Sequence, residues 1–208
     1  LSRGLLISIE RDGVDLLRIT SKAVELMSEG ELLQIEKARR LDITETVYFD
    51  IIRRKTASLI AACCAAGSAS TGADKEQVEC MRAFGEAVGI AFQIKDDLLD
   101  FAPTSATGKP KGGDLKERKM TLPLIHTLQM QTAGERRRMI RDIKRSAERP
   151  DVAAKLLLEI QSGPGIQYAE SKMAEYRDQA IAMLEALPSS PARTALADLV
   201  EFTTSRNK

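Results

Sequence analysis

Apolar residues recur at intervals of three and four through almost the whole chain, a period that suits a helix and little else. Ile166, Ala169, Met173, Tyr176, Ala180, Leu184 and Leu187 draw one such stripe, the core-facing side of an amphipathic helix. Boundary signals agree. Asp74 followed by Gln77, and Thr132 followed by Glu135, have the spacing of capping boxes, in which each side chain satisfies a backbone N–H that the first turn leaves free. Thr121 with Pro123 marks another start, and Gly67 and Gly163-Pro164-Gly165 mark stops. The pattern predicts helices at about 15–39, 44–66, 74–101, 121–131, 134–148, 151–162, 165–187 and 191–204. No alternating strand or Asn-Gly hairpin turn interrupts the series. The fold class is therefore all-α, a single helical domain over residues 1–208. A Pro/Gly/Ser/Thr-rich loop from Ala102 to Gly113 is long enough to be functional.

Charge and apolar content exclude several classes. With 31 basic against 30 acidic side chains and 43% hydrophobic residues, the chain is neither a disordered polyelectrolyte nor a nucleic-acid binder. No run approaches the roughly 20 apolar residues that span a bilayer. Cys63, Cys64 and Cys80 fit neither a disulfide framework nor a zinc site and point to a reducing, cytoplasmic setting. The chain opens at Leu1, without Met and directly in the apolar run Leu5 to Ile9, with no signal-peptide pattern. It reads as part of something longer.

The most chemical stretch is Phe92-Gln93-Ile94-Lys95-Asp96-Asp97-Leu98-Leu99-Asp100. On a helix, Gln93, Asp96, Asp97 and Asp100 share one face, so three carboxylates and an amide converge. Like charges so placed repel, and anions in a last turn oppose the helix dipole, so the patch calls for a cation. Magnesium suits it, because that ion takes hard oxygens and completes its shell with water and phosphate. A solvated acidic helix end is the plainer alternative. Lys109, Lys111 and Lys119 follow in flexible backbone, as a diphosphate would require, or as solvated surface lysines. Upstream, Lys55-Thr56 precedes the small-residue segment Ser58 to Gly67, whose alanines allow close helix packing.

Together these segments resemble the trans-prenyl diphosphate synthases, or polyprenyl synthetases. Phe92-Gln93-x-x-Asp96-Asp97-x-x-Asp100 resembles the family's second aspartate-rich motif. Gly108-Lys109-Pro110-x-Gly112-x-Asp114-Leu115-x-x-x-Lys119-x-Thr121-Leu122-Pro123 resembles the segment after it, and Gly30-Glu31-x-x-Gln34 and Lys55-Thr56 resemble two earlier signatures. Order and spacing agree over about residues 1–130, and the remainder is simply helical. Arg118 departs from the pattern, standing where the family commonly has glycine.

The resemblance implies a helical bundle of the isoprenoid synthase type, lacking its N-terminal helices and with them the first aspartate-rich motif. It implies head-to-tail condensation of an allylic diphosphate with isopentenyl diphosphate, dependent on Mg2+, with a longer polyprenyl diphosphate as product. Asp96, Asp97 and Asp100 would serve the metal, Asp96 as principal ligand. Lys55, Lys109 and Lys119 would grip the allylic diphosphate, Gln93 and Thr56 would stand near the developing cation, and Phe92 would line the site. A homodimer is implied, and the chain alone is expected to be inactive. Two other readings remain: a non-catalytic subunit of the same fold, and a generic helical interaction domain.

Overall fold

The computed structural model describes residues 13–41, 43–102 and 112–206, and these are helical with no strand among them. The elements are α1 (Val14–Arg40), α2 (Glu45–Ile52), a π-helical turn (Arg53–Ala57), α3 (Ser58–Ser70), α4 (Lys75–Asp100), α5 (Gly113–Lys116), α6 (Leu122–Met130), α7 (Ala133–Ser146), α8 (Pro150–Gln161), α9 (Gly165–Glu185) and α10 (Pro191–Ser205).

The bundle is built around α4, which packs against α3 on one side and α9 on another. Its middle, from Phe84 through Ile94, is almost wholly buried, because small residues let both neighbours come close. A Cβ at Gly89 would stand 2.5 Å from Ala57 Cα, and one at Gly30 would stand 2.6 Å from Lys55 N. Those two glycines bring α4 and α1 onto the π turn. The main core runs from Ile51 and Ile52 through Ile90 and Ile94 to Leu124, Ile143 and Ile160. The α9 stripe behaves as its period requires: Ala169, Ala180 and Leu184 are buried, and Ile166, Met173 and Tyr176 pack against the core.

Both expected capping boxes form, Asp74 with Gln77 and Thr132 with Glu135. Helix ends agree with the sequence within a residue or two except between 44 and 70. There the single helix expected over 44–66 is two, joined by a turn in which Ser58 N–H reaches Arg53 O, five residues back. Gly67 does not stop it, since α3 runs on to Ser70 and the break falls at Gly72, with φ +78°. An exposed mid-helix glycine costs only about 1 kcal/mol, less than the neighbouring residues gain by packing. In the expected loop Ala102 to Gly113, residues 103–111 lie outside the described residues, and so does Lys109. The apolar run Leu5 to Ile9 lies outside them too. At the loop's far end Gly112, with φ +69°, opens the short α5.

Candidate active site

The π turn matters because it carries Lys55 and Thr56. A turn with one extra residue shifts the helix face, and such insertions often mark functional positions. Lys55 Nζ donates to Gln34 Oε1 at 2.8 Å and pairs with Glu31 Oε2 at 2.6 Å, both on α1. Thr56 Oγ1 donates to Gln93 Oε1 at 2.9 Å. Gln93 Nε2 in turn donates to Asp97 Oδ1 at 3.1 Å. The sequence signatures around 30–34, 55–56 and 93–97 thus meet at the π turn, Lys55 bonding the first and Thr56 opening a hydrogen-bonded chain to Asp97.

Asp97 is its hub. It is fully buried and also accepts from Tyr48 Oη at 2.9 Å and from Lys119 Nζ at 3.0 Å. Lys119 is bridged to Asp114 Oδ2 at 3.0 Å as well. Burial pushes the Asp97 carboxyl up while Lys119 pulls it down. Three donors and no acceptor face it, so the ionised form is the one the site holds. Burial alone pulls Lys119 down, but the carboxylates of Asp97 and Asp114 outweigh it and hold the ammonium well above the ordinary lysine range.

The other two aspartates of the motif lie differently. Asp100 is half-buried and receives the N–H groups of Gly113 at 3.0 Å and Asp114 at 3.2 Å, fixing the start of α5. Burial and the neighbouring Asp114 raise its pKa. Asp96 points outward with 39% of its side chain exposed, where the guanidinium of Arg206 pairs with it. The same guanidinium lies 4.3 Å over the Phe92 ring. Lys119 thus neutralises Asp97, and Arg206 neutralises Asp96. Sequence reading missed Arg206, for it stands 110 residues from Asp96. Tyr48 as a partner of the hub, and Asp114 as a partner of Lys119, were also missed. An aromatic residue at the start of the Lys55 helix and an acid five residues before Lys119 were the available signals.

A small pocket of about 60 Å³ opens beside the hub. Lys55, Thr56, Gln93 and Lys119 form a polar side, and Ile43, Ile51, Ile52 and Met120 an apolar one. Its lining offers cations to an anionic group and hydrocarbon to an apolar one. Among the described residues, no three His, Cys, Asp or Glu side chains stand close enough to hold a metal ion between them. The donor set still fits a hard cation that keeps water and phosphate oxygens in its shell. The exposed Asp96 carboxylate already attracts a guanidinium, and Asp100 lies one turn on.

Arg118 stands immediately before Lys119 in left-handed backbone, with φ 58°, a conformation that favours glycine. The turn that glycine would make is kept, and Arg118 Nη2 donates to Lys144 O at 2.9 Å at the end of α7.

The all-helical bundle has the isoprenoid synthase fold. The family model described as Polyprenyl synthetase matches residues 2–160, and the chain belongs to that family. It is 34% identical over 193 residues to the octaprenyl diphosphate synthase of Escherichia coli (strain K12), covering 92% of this chain and 59% of that protein. It is 35% identical over 179 residues to the short chain isoprenyl diphosphate synthase of Methanothermobacter thermautotrophicus, covering 86% of this chain and 54% of that protein. The crystal structure of a polyprenyl synthase from Caulobacter crescentus CB15, complexed with calcium and isoprenyl diphosphate, matches with a TM-score of 0.91 and 32% identity. That match covers 100% of this chain and 63% of that structure. The chain spans about three-fifths of the length of these relatives.

Proposed function

We propose that this chain forms the allylic-diphosphate side of a magnesium-dependent prenyl diphosphate synthase. The observation that carries the reading is the convergence of Lys55, Thr56, Gln93 and Lys119 on one amphipathic pocket beside the Asp97 hub. In the reaction, the allylic C–O bond breaks and diphosphate departs. The alkene of isopentenyl diphosphate forms the new C–C bond, and a proton is lost.

Lys119 is held rigidly by two carboxylates and presents its charge to the departing diphosphate. Lys55 lines the same pocket and exchanges Glu31 for phosphate, and Lys109 belongs to this set by its motif position. Preorganised charge of this kind stabilises a transition state without reorganisation. The Gln93 and Thr56 dipoles lie where the allylic cation develops, and the apolar side keeps water from quenching it. Asp96 and Asp100 are assigned to the metal face, with Phe92 beneath. Asp97, the third acidic residue of the motif, acts by fixing Lys119 and Gln93. Magnesium, when bound, neutralises charge on the leaving group.

The product is assigned to the polyprenyl class on the octaprenyl relative. A homodimer is supported by the exposed apolar residues Val14, Val24, Leu32 and Ile35 of α1. No described helix is long and apolar enough to cross a membrane, and the three cysteines are free, which supports a cytoplasmic setting. The test is condensation of farnesyl diphosphate with labelled isopentenyl diphosphate by the full-length protein. Asp96→Ala should lower kcat at least about 100-fold, the scale of a lost electrostatic stabiliser. Unchanged turnover would overturn the assignment of Asp96.

A further inference from the structure

The outward face of α7 has no role in the site. This helix turns Met139, Ile143 and Ser146 inward. Opposite them Arg137, Arg141, Lys144 and Arg145 follow one another at helical spacing, all exposed. Neither these four nor the exposed Arg136 makes an ion pair among the described residues. Arg137 bonds only the Ala133 carbonyl, at 3.1 Å.

Asp142 on α7 and Glu148 just beyond it form no ion pair among the described residues, and three other nearby acids are engaged. Glu135 closes the helix cap, Glu159 holds Arg138, and Asp151 holds Arg149. Arg118, also exposed, adds a further guanidinium at the Lys144 carbonyl. In a chain with 31 basic and 30 acidic residues, this is a local concentration that net charge does not explain. Like charges at this spacing repel; Asp142 and Glu148 offset part of that repulsion, and an anionic surface over the stripe would relieve the rest.

The shape of the stripe narrows the partner. It is a rigid ridge about 12 Å long, with no aromatic side chain on α7 on which a base could stack. Apolar side chains are exposed close by: Met130, at the end of α6, and Leu158, next to the Glu159 that binds Arg138, each leave 66% of their surface to water. Cations on a ridge with apolar neighbours fit phospholipid headgroups above a hydrocarbon layer.

We propose that α7 is a peripheral docking face for a bilayer rich in anionic phospholipid. The choice of a bilayer over other polyanions rests on the prenyl-transfer reading. A diphosphate whose hydrocarbon chain grows by condensation partitions into lipid, and a membrane-consuming step is its natural outlet.

The test is co-sedimentation of the full-length protein with vesicles, which does not depend on turnover. Failure here is thus distinguishable from failure of the enzyme assignment. Vesicles of equimolar phosphatidylglycerol and phosphatidylcholine should bind the protein at low salt and release it at high salt, and phosphatidylcholine alone should not bind it. Combined Arg137→Glu, Arg141→Glu and Arg145→Glu changes should weaken binding at least about 100-fold, with solution turnover of farnesyl diphosphate unchanged. Should that variant unfold, Arg137→Gln with Arg141→Gln, verified as helical by circular dichroism, should still lose about 30-fold. Wild-type affinity in a folded variant, equal binding to neutral vesicles, or binding to RNA but not to anionic vesicles would each overturn the proposal.

Discussion

At the scale of single residues, the account turns on Asp97 and Lys119. Lys119→Met leaves a fully buried carboxylate without its cation, and breaking such a pair costs about 3–5 kcal/mol. The lower end is expected here, because the lysine side chain keeps 27% exposure. In the unaltered protein, Lys119 is raised above the ordinary lysine range, so the pair's contribution is present through neutral pH and is lost only as pH rises through that raised value. In the variant, Asp97, already pushed up by burial, rises further. A carboxyl that is higher in the folded than in the unfolded state stabilises below its ordinary value, about 4, and that stability is lost as pH rises through the folded value. Melting curves should therefore show a deficit that is small near pH 4 and grows toward neutrality; a pH-independent deficit would contradict the burial argument. Arg206 is tested separately. Arg206→Gln frees Asp96 of a partly exposed pair, and manganese binding followed by paramagnetic resonance without diphosphate should tighten about fivefold. An unchanged affinity would show that the guanidinium does not compete for that carboxylate.

At the scale of elements, local chemistry announced itself and packing did not. Capping boxes, the Pro123 start and the α9 stripe depend on residues within one or two turns, and all formed where their spacing required. The π turn was illegible, since nothing in Arg53-Arg54-Lys55-Thr56-Ala57 distinguishes it from ordinary helix. Its surroundings are set by Gly30 and Gly89, far away in sequence. Gly67 misled because a glycine exposed on a helix resembles one that ends it. For the site, the motif spacing brought Lys55, Thr56, Gln93, Asp97 and Lys119 to one place in advance. It could not show that Asp97 points inward while Asp96 points outward, which depends on Tyr48 arriving from α2 and Lys119 from the connection between α5 and α6. Gly89→Ala tests the close approach. Its methyl would press on Ala57, costing about 1–3 kcal/mol of overpacking, read by urea denaturation, and should lower turnover by displacing Thr56. Full stability in that variant would mean the two helices separate freely.

For the whole molecule, the helical period sufficed for fold class and the ordered motifs for family, because both are redundant over many residues. The surface was less legible: exposed cations on α7 and apolar residues on α1 have meaning only once their neighbours are known. The relatives are longer than this chain. Residues 1–208 alone are accordingly expected to incorporate no isopentenyl diphosphate above background, and turnover by the purified chain would refute that. The central claim is that Lys55, Lys119 and the Asp96 face together hold an allylic diphosphate through a divalent cation. Calorimetric titration of the full-length protein with farnesyl thiolodiphosphate, with and without magnesium, tests it most directly. The account predicts one site, at least about 100-fold tighter with magnesium and about tenfold weaker in Lys119→Met, the worth of a charge-assisted hydrogen bond. Equal affinity in chelator and in the folded variant would contradict it.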